Sequence, residues 1–304
     1  MKTLILGGGG LVGSSLHRNL IEDSFYSEII AARRSDADLF DFQETKKLIS
    51  SLKPDIIINS AAKVGGIVAN NTNRTEFILE NLKININILE SLIDFPEIKL
   101  INLGSSCIYP LRANNPISED SLMDGKLEPT NSPYAMAKLT AIEMGDALSR
   151  QFGHKITNLM PTNLYGPNDN FSNLNSHVIP GLIFRMHTAK IKKDEYFEVW
   201  GTGTPKREFL YVDDLSDAIN FIIKNNHFPK VLNIGSGREV TIKELVILIK
   251  DIVGYDGKIE FDPSMPDGNP RKLLDSSKIN DLGWKPTTGL KDGLITTYRW
   301  FQNN

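Results

Sequence analysis

Three glycines spaced three apart, Gly7, Gly10 and Gly13, follow the short apolar run 2–6 and open the amphipathic run 11–22. No other feature constrains the fold as much. A strand, a tight turn and a helix in that order make a βα unit whose helix N-terminus offers free N–H groups to a diphosphate. The first glycine permits the turn, the second a close backbone approach, and the third the packing of helix on strand. Gly8, Gly9, Leu11 and Val12 complete the loop that would face a dinucleotide. Where the second strand (29–33) ends, the chain carries Arg33-Arg34-Ser35 instead of the acid that would hold the ribose hydroxyls of NAD. Two guanidiniums can pair with a 2′-phosphate, so NADP(H) is the expected cofactor. Asp41 either reaches the adenine edge or caps the following helix, and both readings stand.

Short apolar runs at 2–6, 29–33, 55–59, 100–103 and 156–159 alternate with helical patterns at 11–22, 44–52, 75–94 and 133–152. In the helix 75–94, Phe77, Ile78, Leu82, Ile86, Leu89 and Ile93 recur at helical spacing. This alternation predicts a Rossmann-type doubly wound parallel sheet covered on both faces, with a smaller C-terminal α/β substrate domain. Residues 161–180 are rich in Pro, Gly and Asn and read as loops. A helix at 178–189 and a strand at 197–200 follow. The helix 212–224 and strand 231–234 read as one more step of the main sheet, and a helix at 289–300 ends the chain. The expected division is 1–164 plus about 208–236 for the cofactor domain, and about 165–207 plus 237–304 for the substrate domain.

Ser105 stands just after the strand 100–103, and Tyr134 and Lys138 share one helix face four residues apart. A free tyrosine titrates near pH ~10, and a neighbouring ammonium is expected to lower that value. Tyr134 can then protonate a carbonyl oxygen as hydride reaches its carbon, with Ser105 bonding the same oxygen. Cys107, two residues beyond Ser105, suggests a second kind of proton chemistry in the same cleft.

The net charge of −3 gives no electrostatic footprint for nucleic acid or an anionic membrane. No apolar run approaches the ~18–20 residues of a membrane span. One cysteine cannot form an internal disulfide, and the five histidines (17, 154, 177, 187, 227) show no metal-ligand spacing. A reducing, cytoplasmic setting without a structural metal is expected. Polyglycine stands where a signal peptide would have its apolar region.

The glycine turn with Ser105, Tyr134 and Lys138 resembles the extended short-chain dehydrogenase/reductase superfamily. That resemblance places Ala61-Ala62 on the adenosine side and the turn Pro161-Thr162-Asn163-Leu164-Tyr165-Gly166-Pro167 beside the nicotinamide. Longer strings are similar to the GDP-L-fucose synthase family: Ala61 to Asn71, Leu127-Glu128-Pro129-Thr130-Asn131, Asn175-Ser176-His177-Val178-Ile179-Pro180, Trp200 to Phe209, and Pro266-Asp267-Gly268-Asn269-Pro270-Arg271-Lys272. They span nearly the whole chain.

The family resemblance implies a two-stage reaction on a GDP-4-keto-6-deoxy sugar: epimerisation at C3 and C5, then reduction at C4 by NADPH. Cys107 and His177 match the family's epimerisation pair, and His177 also lies on the cofactor side. Arg207 is the implied diphosphate ligand, with Arg185, Trp200, Asn163, Asp267 and Lys272 as further substrate contacts. Arg185 also reads as the polar face of its helix and Trp200 as core. Dehydratases of the superfamily carry an Asp-Glu pair where Cys107-Ile108 stand, so water elimination lacks its acid and base. Gly9 replaces an arginine common in the family, leaving Arg33 and Arg34 to select NADP. The resemblance further implies a homodimer through a four-helix bundle of helices 75–94 and 133–152. Two other readings remain open: a C4 reductase of another GDP-4-keto sugar such as a heptose, and a non-catalytic NADP-binding sensor.

Overall fold

The computed structural model describes residues 1–172, 176–265 and 267–304. Asn175 and Pro266, each part of a string quoted above, lie outside the described residues. The chain runs β1 (Lys2–Leu6), α1 (Leu11–Leu20), β2 (Glu28–Ala32), α2 (Phe42–Leu52), β3 (Ile56–Asn59), α3 (Ile67–Thr72), α4 (Arg74–Leu92), β4 (Lys99–Leu103), α5 (Ser132–Phe152) and β5 (Ile156–Pro161). It continues through β6 (Asn163–Tyr165), α6 (Val178–Lys192), β7 (Tyr196–Trp200), β8 (Lys206–Tyr211), α7 (Val212–Lys224) and β9 (Val231–Ile234). The remainder is β10 (Glu239–Thr241), α8 (Ile242–Val253), β11 (Lys258–Asp262), β12 (Arg271–Lys272), α9 (Ser277–Asp281) and α10 (Leu290–Asn303).

Six strands pair in the order β2-β1-β3-β4-β5-β9, each neighbouring pair parallel. Alternate side chains serve opposite faces, as strand geometry demands. Leu4, Leu6 and Ile57 pack with Ile84, Ile88 and Leu148 of α4 and α5. Ile5, Ile56 and Ile58 pack with Leu16 of α1 and with Leu215 and Ile219 of α7. Both faces are apolar, which is why these strands read as continuous runs. A second core gathers Ile179, Leu182 and Met186 of α6, Leu245 and Ile249 of α8, and Leu294 and Tyr298 of α10 over Phe197 and Phe209.

Three buried asparagines cross the middle of the main sheet in register. Asn59 donates to Asn102 (2.9 Å), and Asn102 to Asn158 (3.1 Å). Asn158 donates in turn to the Lys230 carbonyl beside β9 (3.1 Å). Each of these amides thus has a partner across the sheet, so none of their donors is left unbonded.

The structure corrects several sequence expectations. The first helix ends at Leu20, and a short helix not expected from the sequence forms at Ile67–Thr72. Asn70 holds it by donating to the Gly65 and Gly66 carbonyls (2.7 and 3.0 Å). β8 carries Glu208, fully buried, in its middle, and that acid interrupts the apolar pattern by which a strand is recognised. Glu208 is tolerated because it accepts from Gly237 N–H (2.8 Å) and Leu274 N–H (3.1 Å). No helix among the described residues is long and apolar enough to cross a membrane.

His154, between α5 and β5, is buried with neither ring nitrogen bonded to any of the described residues. Burial lowers its pKa, with the Glu97 charge opposing. A base with a folded pKa below its unfolded value of about 6.5 binds more protons when unfolded, so stability falls as pH drops through that value. The urea midpoint should therefore decline from about pH 7.5 toward 5.5, with a shallower decline in His154→Leu. Equal slopes for the two proteins would contradict this.

Candidate active site

The carboxyl ends of β1, β3, β4 and β5 form one edge, where a doubly wound sheet binds ligands. At β1 the chain turns through Gly7 at φ 82°, a conformation side chains rarely adopt. Gly10 N–H returns to the Gly7 carbonyl (3.1 Å). A Cβ on Gly13 would overlap that carbonyl, so α1 reaches the turn only with glycine there. No side chain caps α1, which leaves the N–H groups of Leu11, Val12 and Gly13 at an open, partly positive helix end. Ala61 lies against Gly7: a Cβ there would be 2.8 Å from Ala61 N. Ala62 follows, also half-buried. This cradle fits a dinucleotide diphosphate.

Arg33 and Arg34 are exposed at the end of β2. The Arg33 side chain leans over Gly9, its Nε 3.9 Å from where a Cβ would stand. A Cβ at position 9 would therefore meet Arg33 only at ordinary van der Waals distance. Arg34 lies 5.0 Å above the Phe40 ring and 3.7 Å from Asp38. Asp41 is the N-cap of α2, accepting from Glu44 N–H at 2.9 Å. One of its oxygens thus has a structural task, as the capping reading anticipated.

Ser105 follows β4 and accepts from Cys107 N–H (3.2 Å), bending the chain into a 3₁₀ turn, Ser106–Ile108. Tyr134 lies in the first turn of α5, and Lys138 one turn later donates to the Leu103 carbonyl at 2.7 Å. The Lys138 ammonium is 5.8 Å from the Tyr134 ring centre. Tyr134 packs with Ala69 and Phe77, and Cys107 rests against that cluster. Ser105, Cys107, Tyr134 and Lys138 therefore share one pocket.

The expected lowering of the Tyr134 pKa is not met. Burial raises it, the neighbouring Cys107 adds to the rise, and only the bond to Ser105 opposes. Lys138 is itself only 2% exposed, and burial brings its ammonium down to about 8. Two buried groups each lose hydration, and that loss outweighs their attraction here.

From the other side, β12 pairs with β8 so that Lys272 stands opposite Arg207. Lys272 Nζ reaches Cys107 Sγ at 3.6 Å. Burial lowers the Arg207 pKa, opposed by the charges of Asp267 and Cys107. Asp267 accepts from Thr202 N–H (2.7 Å) and Thr202 hydroxyl (2.8 Å), so both of its carboxylate oxygens hold the loop after β7. Trp200 is 44% exposed, which removes the core reading. Arg185 donates to the Glu198 carbonyl and lies 5.0 Å over Phe197, in a groove shared with Tyr196 and outside the Cys107 cluster.

Thr162 and Asn163 both donate to the Glu208 carbonyl (3.1 and 2.8 Å), fastening the turn between buried Pro161 and half-buried Leu164 to β8. His177 is the exposed N-cap of α6. The residue before it, Ser176, brings its carbonyl within 2.6 Å of where a Cβ on Gly66 would be. Sequence reasoning missed the Ala69–Phe77 wall and the carboxyl of Asp169, whose pKa burial raises. Asp169 gave no signal apart from its loop-rich neighbourhood.

A diphosphate cradle, a buried Ser–Tyr–Lys set and a thiol facing two cations define a Rossmann-type enzyme of the dehydrogenase/reductase kind. The chain belongs to the NAD dependent epimerase/dehydratase family, whose model matches residues 3–235. Within it, the resemblance to GDP-L-fucose synthases is borne out. The chain is 48% identical to GDP-L-fucose synthase 1 of Arabidopsis thaliana over 303 residues, covering 100% of this chain and 94% of that one. Among solved structures, a GDP-L-fucose synthetase from Naegleria fowleri bound to NADP superposes with a TM-score of 0.90 at 28% identity, over 99% and 94% of the two chains. A GDP-6-OMe-4-keto-L-xylo-heptose reductase from C. jejuni gives 0.91 at 30% identity, over 99% and 98%.

Proposed function

We propose that the protein converts GDP-4-keto-6-deoxy-D-mannose to GDP-L-fucose, epimerising C3 and C5 and then reducing C4, with NADP(H) as its cofactor. The observation that carries this reading is the single pocket shared by Ser105, Tyr134 and Lys138 with Cys107, against which Lys272 is set at 3.6 Å. A plain ketone reductase has no use for the thiol. The 48% identity to a GDP-L-fucose synthase against 30% to a heptose reductase favours the hexose. Because the heptose enzyme superposes as well as the hexose one, C4 reduction of a heptose without epimerisation is the second reading.

In the first stage the 4-keto group acidifies the protons on C3 and C5. Cys107 and His177 remove and return them from opposite faces, through an enediolate whose oxygen meets the Ser105 hydroxyl. Arg207 and Lys272 hold the GDP diphosphate, Trp200 offers an aromatic wall, and Arg185 and Asn163 are the outer contacts. Asp267 acts through Thr202 rather than on the sugar. In the second stage Tyr134 gives its proton to O4 and keeps its electron pair, which Lys138 stabilises as a cation. NADPH, when bound, supplies the hydride to C4. Gly7 to Gly13, Ala61, Ala62, Arg33 and Arg34 are the residues that would hold it, with Pro161 to Leu164 beside its reactive end.

Residues 1–164 with about 208–236 form the NADP domain in this reading, and about 165–207 with 237–304 the GDP-sugar domain. The return of β9 to the main sheet supports that division. Exposed Leu79, Ile86 and Met136 on α4 and α5 support a homodimer through these helices; sedimentation as a 33.9 kDa monomer would count against it. The free thiol the chemistry needs suits a reducing cytoplasm.

Incubation with GDP-4-keto-6-deoxy-D-mannose and NADPH should yield GDP-L-fucose by NMR. Tyr134→Phe should lower the reduction rate about 10²- to 10⁴-fold with NADPH still bound. The parent rate should fall as pH rises through about 8, where Lys138 loses its proton. A Tyr134→Phe enzyme of near-parent activity, or a product other than the L-fucose sugar, would overturn the reading.

A further inference from the structure

Tyr109 is a buried phenol that the two-stage scheme leaves unused, two residues beyond Cys107 and only 2% exposed. Its N–H closes the 3₁₀ turn Ser106–Ile108 on the Ser106 carbonyl at 3.4 Å. Ser105 opens the same turn by accepting from Cys107 N–H. Cys107 is therefore held between two fixed ends. The second of them is anchored far along the chain, because the Tyr109 hydroxyl donates to Asn233 Oδ1 of β9 at 2.6 Å. Burial raises the Tyr109 pKa, the Glu119 charge adds to the rise, and the bond to Asn233 opposes it. The hydroxyl thus keeps its proton and serves as the donor.

Asn233 is fully buried, and the same side chain holds the segment that follows Lys272. Its Nδ2 donates to the Ile117 carbonyl (2.9 Å) and to the Asp275 carbonyl (3.0 Å). Ile117 in turn pairs with that segment, its N–H donating to the Leu273 carbonyl and its carbonyl accepting from Asp275 N–H, both at 2.8 Å. Asn233 N–H donates to Glu119 Oε1 (3.0 Å), whose other oxygen lies 3.1 Å from Lys278 Nζ. Two carbonyls facing Nδ2 fix the orientation of the amide, so its oxygen is left to the phenol. One buried amide joins the turn that bears the thiol to the segment next to the ammonium. Between the two lies the 3.6 Å contact of Lys272 Nζ with Cys107 Sγ.

We infer that Tyr109 and Asn233 are positioning residues for Cys107: the bond between phenol and amide sets the depth of the thiol and its distance from Lys272, and so the approach of sulfur to the proton it takes from the sugar. The inference rests on the epimerase reading of the site. In that step the proton passes from carbon to sulfur, and the C–H electron pair moves into the enediolate. Tyr109 and Asn233 neither gain nor lose a proton.

The test is Tyr109→Phe, which deletes the bond and keeps the ring. Ile142→Val is the control, since it trims the same core and leaves the bond in place. In D2O with GDP-4-keto-6-deoxy-D-mannose, Tyr109→Phe should slow deuterium entry into the ring at least about tenfold, mainly in the rate at saturation rather than in KM. NADPH affinity should stay at the parent value, and Ile142→Val should exchange at the parent rate although its melting temperature also falls. The chain has one cysteine, so labelling cysteine with carbon-13 at Cβ gives a single resonance. That resonance should shift in Tyr109→Phe and stay in place in Ile142→Val. Exchange at the parent rate in Tyr109→Phe would overturn the inference. So would equal losses of exchange in the two variants, which would mark a merely structural bond. If the parent exchanges no deuterium, the epimerase reading has failed, and the carbon-13 resonance decides the positioning separately: unmoved in Tyr109→Phe, it refutes the inference.

Discussion

A buried ammonium sets the geometry on which everything else in this molecule depends. Lys138 points from α5 into the carboxyl edge of the main sheet and donates to the last carbonyl of β4 at 2.7 Å. A charge in that place is costly, and burial brings the pKa of Lys138 down to about 8. The bond fixes the rotation and depth of α5 against β4. With α5 so fixed, Tyr134 one turn earlier reaches Ser105, and Cys107 closes the same pocket. The tether also lies just ahead of the residues it serves, because Ser105 is two residues beyond Leu103.

The other half of the pocket is assembled from the opposite side by a buried acid. Glu208 draws together β8, the loop after β9 and the segment after β12 by accepting from Gly237 and Leu274 N–H. That convergence sets Arg207 and Lys272 side by side on paired strands and brings Lys272 to the thiol. A cofactor edge with its proton donor thus meets a cationic wall suited to a diphosphate. In the proposed reading, the reacting carbon of the nucleotide sugar sits where the two come together, beside Cys107.

Much of this was legible in the sequence because period and spacing report local geometry. The glycine turn, the helix 212–224, the strand 231–234 and the shared face of Tyr134 and Lys138 all follow from short-range rules, and the structure has them. Features that depend on contacts between distant segments were not legible. β8 was hidden because its buried Glu208 is satisfied by residues far along the chain. The helix Ile67–Thr72 was hidden because it depends on one asparagine side chain closing over two glycine carbonyls. The direction of the Tyr134 shift was missed for a related reason. Spacing reveals that an ammonium is near, whereas the depth of burial that overrides it exists only in the folded molecule. Asp267 was nameable from the string around it and Arg185 from the family resemblance, but not the commitments of their side chains to Thr202 and Glu198.

The central claim is that proton exchange and hydride transfer occur in one cleft through separable groups. Deuterium entry at C3 and C5 of GDP-4-keto-6-deoxy-D-mannose, measured without NADPH in the parent, Tyr134→Phe and Cys107→Ser, tests it most directly. The account predicts uptake at both carbons in the parent, uptake retained in the reduction-deficient Tyr134→Phe, and uptake lost in Cys107→Ser. Absence of exchange in the parent, or full exchange in Cys107→Ser, would contradict it.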